Sequence, residues 1–102
     1  MEDPALERAT DIFRALSNPL RVGIIRELAD GERAVHELVE ALGIAQPRVS
    51  EHLAVLRGAR LVAAHRQGRN VTYRLVDTHV AHIVDDAVIH AGEPDDRAVP
   101  SA

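Results

Sequence analysis

The chain contains no cysteine. That excludes disulfides, thiolate metal centres and cysteine redox sensing. Any metal must be held by His, Asp and Glu, a donor set that favours zinc, nickel or cobalt over thiophilic ions. Aromatic residues make up only 2% of the chain and tryptophan is absent, so the core has to be built from Leu, Val, Ile and Ala. Lysine is missing as well, and all twelve basic residues are arginine. No run approaches the roughly 20 apolar residues of a membrane span. The N-terminal stretch MEDPALERATD has neither the basic nor the apolar region of a secretory signal, which makes the cytoplasm the expected location. At 102 residues a single domain spanning 1–102 is expected, with a modest core and surface to gain from burial against a partner.

The formal net charge is −4, but its distribution matters more than its sum. Between Ala45 and Leu75 the charged residues are Arg48, Arg57, Arg60, Arg66, Arg69 and Arg74 against Glu51 alone. A locally positive segment in an acidic protein suits phosphate contact, or is simply a solvated charged face.

Helical spacing of Leu6, Ala9, Ile12, Phe13 and Leu16 predicts a first helix over Pro4 to Ser17. Asn18 as N-cap and Pro19 as first helical residue start a second, which Asp30-Gly31 ends. Val35 to Leu42 and Gln46 to Ala59 read as two short helices joined by a turn at Gly43, so residues 35–59 form a helix-turn-helix. Polar side chains concentrate at the start of its second helix: Gln46, Arg48, Ser50, Glu51 and His52, with Pro47 in the first turn. A recognition helix presents base-reading groups there, with Gln pairing to adenine and Arg to guanine. Glu51 either accepts from cytosine or offsets the arginines. His52 either packs at the base of the helix or touches a phosphate.

Leu61 to His65 and Asn70 to Leu75 read as two strands joined by Arg66-Gln67-Gly68-Arg69, a wing over 61–75. Arg66, Gln67 and Arg69 at its tip suit phosphate or minor-groove contact. The expected fold is thus mainly α with a small β-hairpin, a winged helix-turn-helix in the order α-α-α-α-β-β-α. A tail over 94–102, rich in proline, is expected to be disordered.

The last helix, about Asp77 to Gly92, carries Asp77 and His79 at one end and His90 and Glu93 at the other. His79 and His90 lie roughly 16 Å apart along it, so one ion cannot reach both. The 79/90 pair is centred between residues 84 and 85 and the 77/93 pair on residue 85, nearly the same point. Two antiparallel copies about a two-fold axis would bring Asp77 and His79 of one against His90 and Glu93 of the other, giving two identical four-ligand sites in a homodimer. His82 shares the polar stripe with Asp86 and reads as a surface histidine paired with it rather than a ligand. His36 and His65 read as surface or structural.

The stretches FRALSNPLRVGIIREL and VSEHLAVLRGARLVAAHRQGRNVTYRL resemble the ArsR/SmtB family of bacterial metal-responsive repressors. The resemblance covers roughly Leu6 to Glu93. The spacing D-x-H-x10-H-x2-E over Asp77, His79, His90 and Glu93 is similar to the zinc-sensing site on the family's fifth helix. The resemblance implies a homodimer that binds a palindromic operator in double-stranded DNA when metal-free and releases it on binding zinc at the dimer interface. It also implies a hydrogen bond from His90 to a backbone carbonyl near Arg60. Thiol-based sensing on the third helix is ruled out, because Arg33-Ala34-Val35-His36-Glu37-Leu38 has no Cys. The nickel and cobalt branch adds terminal histidines, and this chain has none before His36 or after His90. Zinc therefore fits better than cobalt or nickel. The alternatives are a nickel- or cobalt-responsive repressor and one of the same fold that senses no metal. A metal-dependent hydrolase needs an open metal position and a nearby nucleophile motif, which are lacking, so no enzyme is expected.

Overall fold

Helices begin where the sequence supplies a cap in three cases, at Asp3, Asn18 and Asp77. In the computed structural model, which describes residues 3–94, helix α1 (Pro4–Leu16) starts at Asp3, whose carboxylate accepts from the backbone N–H of Ala5 and Leu6. Helix α2 (Pro19–Leu28) starts at Asn18, whose side chain accepts from Leu20 and Arg21. Helix α3 (Val35–Leu42) lacks a capping hydroxyl, but Glu37 reaches back to the N–H of Ala34 at 2.8 Å. A turn at Gly43 (φ 67°) leads into α4 (Gln46–Gly58), and the left-handed conformation there costs glycine nothing. Strands β2 (Val62–Gln67) and β3 (Asn70–Leu75) form the hairpin, and α5 (Thr78–Ala91) closes the described chain.

The architecture is the expected winged helix-turn-helix with two local corrections. A two-residue strand, β1 (Arg33–Ala34), precedes α3 and pairs antiparallel with β3, Arg33 opposite Tyr73 and Ala34 opposite Thr72. The sheet is therefore three-stranded, ordered β1-β3-β2. Two residues are too few to show an alternating pattern, so only their partner defines them. The turn of the wing is also tighter than expected. Arg66 and Gln67 lie on β2, with Gln67 opposite Asn70, and only Gly68 (φ 64°) and Arg69 make the turn. The strand leaves from Val62 instead of Leu61.

Helix α4 ends on Arg60, a non-glycine residue at φ 62°. Its N–H donates to the Arg57 carbonyl at 2.9 Å and that of Leu61 to the Leu56 carbonyl at 2.9 Å, the paired bonds of a Schellman closure. Leu61 is buried there.

The core is aliphatic, as the lack of aromatics requires. Ile24, Ile25 and Leu28 of α2 meet Leu38 of α3, Val49, Leu53 and Leu56 of α4, and Val80 and Val84 of α5. Helix α2 is the hub, packing on α1, α3, α4 and α5. The expectation of a disordered tail concerns residues that, from 95 onward, lie outside the described part of the chain.

Candidate functional site

Two regions bring functional side chains together. The first is α5. Asp77 is its N-cap, and Oδ1 accepts from the N–H of His79 at 2.9 Å and of Val80 at 3.3 Å. The same oxygen lies 3.5 Å from His79 Nδ1. At the far end, His90 Nδ1 lies 3.1 Å from Glu93 Oε1. The imidazoles point into solvent, with His79 85% and His90 83% exposed at the side chain. So α5 carries an O,N pair at each end. Within one chain no group of three or more His, Asp or Glu side chains able to hold a metal forms among the described residues. Each pair offers half of a tetrahedral set of the type zinc takes from His and carboxylates, so the residues fit the ion once a second half is supplied. His82 and Asp86 are exposed on the same helix.

The capping role of Asp77 is separable from the ligand role expected of it from the sequence. Asp77→Asn keeps an oxygen for the helix N–H groups and removes the charge, so zinc affinity is expected to drop with thermal stability nearly unchanged. Asp77→Ala is expected to lower both, with about 1 kcal/mol lost from the cap. Calorimetric zinc titration and thermal melts on the two variants check this.

Beside these pairs runs an apolar cleft of about 200 Å³ between α1 and α5, lined by Phe13, Leu16, Val22, Ile83, Val84, Ala87, Val88 and Ala91. Phe13 is 62% exposed, although it is one of only two aromatic residues in the chain. Leu6 and Ile89 are also largely exposed. The periodicity of α5 marks Ile83, Ala87 and Ala91 as interior, yet within one protomer only Val80 and Val84 of that helix are buried.

The second region is the N-terminal half of α4 with the wing. Gln46, Pro47, Arg48, Ser50 and Glu51 are all exposed, as are Arg66, Gln67 and Arg69. His52 is only half-buried and points back into the protein, its Nδ1 accepting from Arg21 Nε at 3.2 Å. Between α4 and the hairpin lies a cleft of about 990 Å³, lined by Gln46, Arg57, Arg66, Gln67, Arg69, Asn70 and His36, among others, and by no carboxylate. Arg57, His36 and Asn70 are additions to the set read from sequence. Arg57 lies three turns below Gln46 on the same face of α4, and that helical spacing was the available signal. His36 arrives from α3 and could not be placed without the tertiary structure.

A helix-turn-helix followed by a hairpin wing and a terminal helix with an exposed apolar face defines a winged helix-turn-helix regulator. The profile of bacterial regulatory proteins of the ArsR family matches residues 18–64. The chain is similar to the HTH-type transcriptional repressor SmtB of Mycobacterium tuberculosis, 52% identical over 88 residues that cover 86% of this chain and 65% of that protein. It is also similar to the HTH-type transcriptional regulator NmtR of the same organism, 38% identical over 91 residues covering 89% and 76%. A solved neighbour is the homodimeric winged helix-turn-helix DNA-binding domain of a possible ArsR-family regulator from Mycobacterium bovis. Its TM-score is 0.81 at 30% identity, covering 96% of this chain and 91% of that one. The chain belongs to the ArsR family of bacterial regulatory proteins, which are regulators and not enzymes. It spans 65% of the length of the SmtB relative.

Proposed function

We propose that this protein is a metal-responsive transcriptional repressor, one winged-helix domain that works as a homodimer. It holds a two-fold operator when metal-free and releases it on binding zinc. The observation that carries this reading is the pairing of Asp77 with His79 and of His90 with Glu93 at opposite ends of one helix, each pair half a site. The cleft between α1 and α5 supplies the apolar face for the second copy. The relative SmtB is named a transcriptional repressor, which supports the same direction.

Asp77 and His79 of one protomer and His90 and Glu93 of the other would hold the ion. Zinc there ties the two α5 helices into one relative position. Helix α5 packs on α2, and α2 packs on α4, so the setting of α5 at the seam is carried to the recognition helix through Ile24, Ile25 and Leu28. Two recognition helices must lie about 34 Å apart to enter successive major grooves. A seam locked at another setting fits only one groove at a time, and a differential of a few kcal/mol makes a usable switch.

On this reading Gln46, Arg48, Ser50 and Glu51, with Pro47 starting the helix, face base edges. Arg66, Gln67 and Arg69 of the wing and Arg57 of the cleft meet phosphates. Removing Arg66 and Arg69 together deletes four arginines from the dimer, and is expected to weaken binding to all sequences alike and to reduce the salt slope of the affinity by about 3 to 4. Anisotropy titrations at several salt concentrations measure it. No helix among the described residues is long and apolar enough to cross a membrane, and a DNA-reading role puts the protein in the cytoplasm. The central test is affinity for a duplex from the promoter of its own gene, with and without zinc. Equal affinities would sink the switch.

A further inference from the structure

Arg21 joins three helices. Its backbone N–H is held by the Asn18 cap at 3.2 Å, which places it in the first turn of α2. Its guanidinium then forks. Nη1 donates to the Ala15 carbonyl at 3.1 Å, and Nε donates to His52 Nδ1 at 3.2 Å. The Ala15 carbonyl belongs to the last turn of α1, where helix carbonyls lack partners. The residue four positions on, which would donate to it in a continuing helix, is Pro19 and has no N–H. Arg21 supplies the missing donor from the neighbouring helix.

At its other branch Arg21 dictates the state of His52. An imidazole nitrogen that accepts from a guanidinium offers a lone pair, so this hydrogen bond uses the tautomer with the proton on Nε2. Among the described residues no buried side-chain nitrogen or oxygen lacks a partner, so Nε2 reaches solvent. The recognition helix is thus tied through one planar side chain to the end of α1, the helix that lines the apolar seam.

We propose that Arg21 is a positioning residue which, through His52, sets the recognition helix against α1, so that His52 serves DNA reading by this bridge and not by touching DNA. The proposal rests on the repressor reading above. It differs from the sequence expectation that left a phosphate contact open for His52.

Three variants separate the bridge from a contact: Arg21→Met, His52→Asn and His52→Gln. Asparagine places an amide oxygen where Nδ1 stands and can still accept from Arg21. Glutamine places its amide where Nε2 stands and cannot. With a labelled duplex from the promoter of its own gene, His52→Asn is expected to stay within about threefold of the parent. His52→Gln and Arg21→Met are expected to lose about tenfold each, the scale of one hydrogen bond to a charged group, and their combination no more than either alone. Zinc titration is expected to be unchanged in all of them. The reverse order, glutamine tolerated and asparagine not, assigns His52 to DNA contact and overturns the bridge, as do three variants of parental affinity. Nitrogen-15 spectra of labelled histidine read the bridge without DNA. His52 of the parent is expected as the single Nε2–H tautomer, and that of Arg21→Met as a mixture. A mixture in the parent overturns the proposal. If the parent does not bind the duplex at all, the repressor reading fails while the spectra still decide the bridge.

Discussion

His90→Ala is expected to abolish the zinc response while leaving metal-free operator binding in place. The side chain is 83% exposed and lies outside the core, with its Nδ1 3.1 Å from Glu93 Oε1, so its loss removes nothing from the core. Alanine is also the better helix former, and α5 is expected to stay intact. On the proposed arrangement, what disappears is one nitrogen of a four-ligand set in each of two symmetric sites. Losing an outer-shell partner already costs 10–100-fold in metal affinity, and loss of a direct ligand is expected to exceed about 100-fold. Calorimetric titration with zinc measures the first effect. Operator anisotropy with and without zinc measures the second, and the two curves are expected to superimpose. A variant that still binds zinc as the parent does would show that the ion sits elsewhere.

Phe13→Glu is expected to convert the protein to a monomer and to remove operator binding at the concentrations where the parent saturates. The aromatic ring is 62% exposed in one protomer, in an apolar cleft with Ile83 and Ala87. Folding of the single chain does not depend on it, so the circular dichroism of the variant is expected to match the parent. Two-fold symmetry doubles the insult, since each substitution puts two carboxylates into one seam without partners. A monomer has one recognition helix and gives up the second half-site, which predicts at least a 100-fold drop in affinity. Zinc affinity is expected to fall with it, because each proposed site draws ligands from both chains. Light scattering reports the mass. A dimer of unchanged stability would place the seam on another face.

The helices were legible from local signals: Asn18 as a cap with Pro19 behind it, Gly43 at a left-handed turn, and aliphatic residues at helical spacing; the caps Asp3 and Asp77 emerged only in the structure. The candidate ligands on α5 were read from spacing alone, as four Asp, His and Glu residues at nearly symmetric offsets, and the structure adds that they lie as two pairs at opposite ends of the helix. The lining of the basic cleft was legible only in part. Gln46, Arg66, Gln67 and Arg69 follow from motif position, whereas His36 comes from an element whose placement depends on packing.

What the linear chain could not specify are relations between elements. Strand β1 exists only because β3 passes beside it, and the wing's register depends on a two-residue turn that could have been drawn as four. Arg60 takes a conformation that favours glycine because burial of Leu61 and two closing hydrogen bonds outweigh a cost of about 1–2 kcal/mol. The guanidinium of Arg21 finds His52 across a separation of 31 residues, and periodicity says nothing about such a meeting. The apolar face of α5 shows the division most clearly. Local spacing determined that the helix is amphipathic and where Asp77, His79, His90 and Glu93 sit along it, because both depend on 3.6 residues per turn. Only the tertiary structure decided that Val80 and Val84 serve the protomer's own core while Phe13, Ile83 and Ala87 remain uncovered, because α2 occupies one side of that face and leaves the rest open.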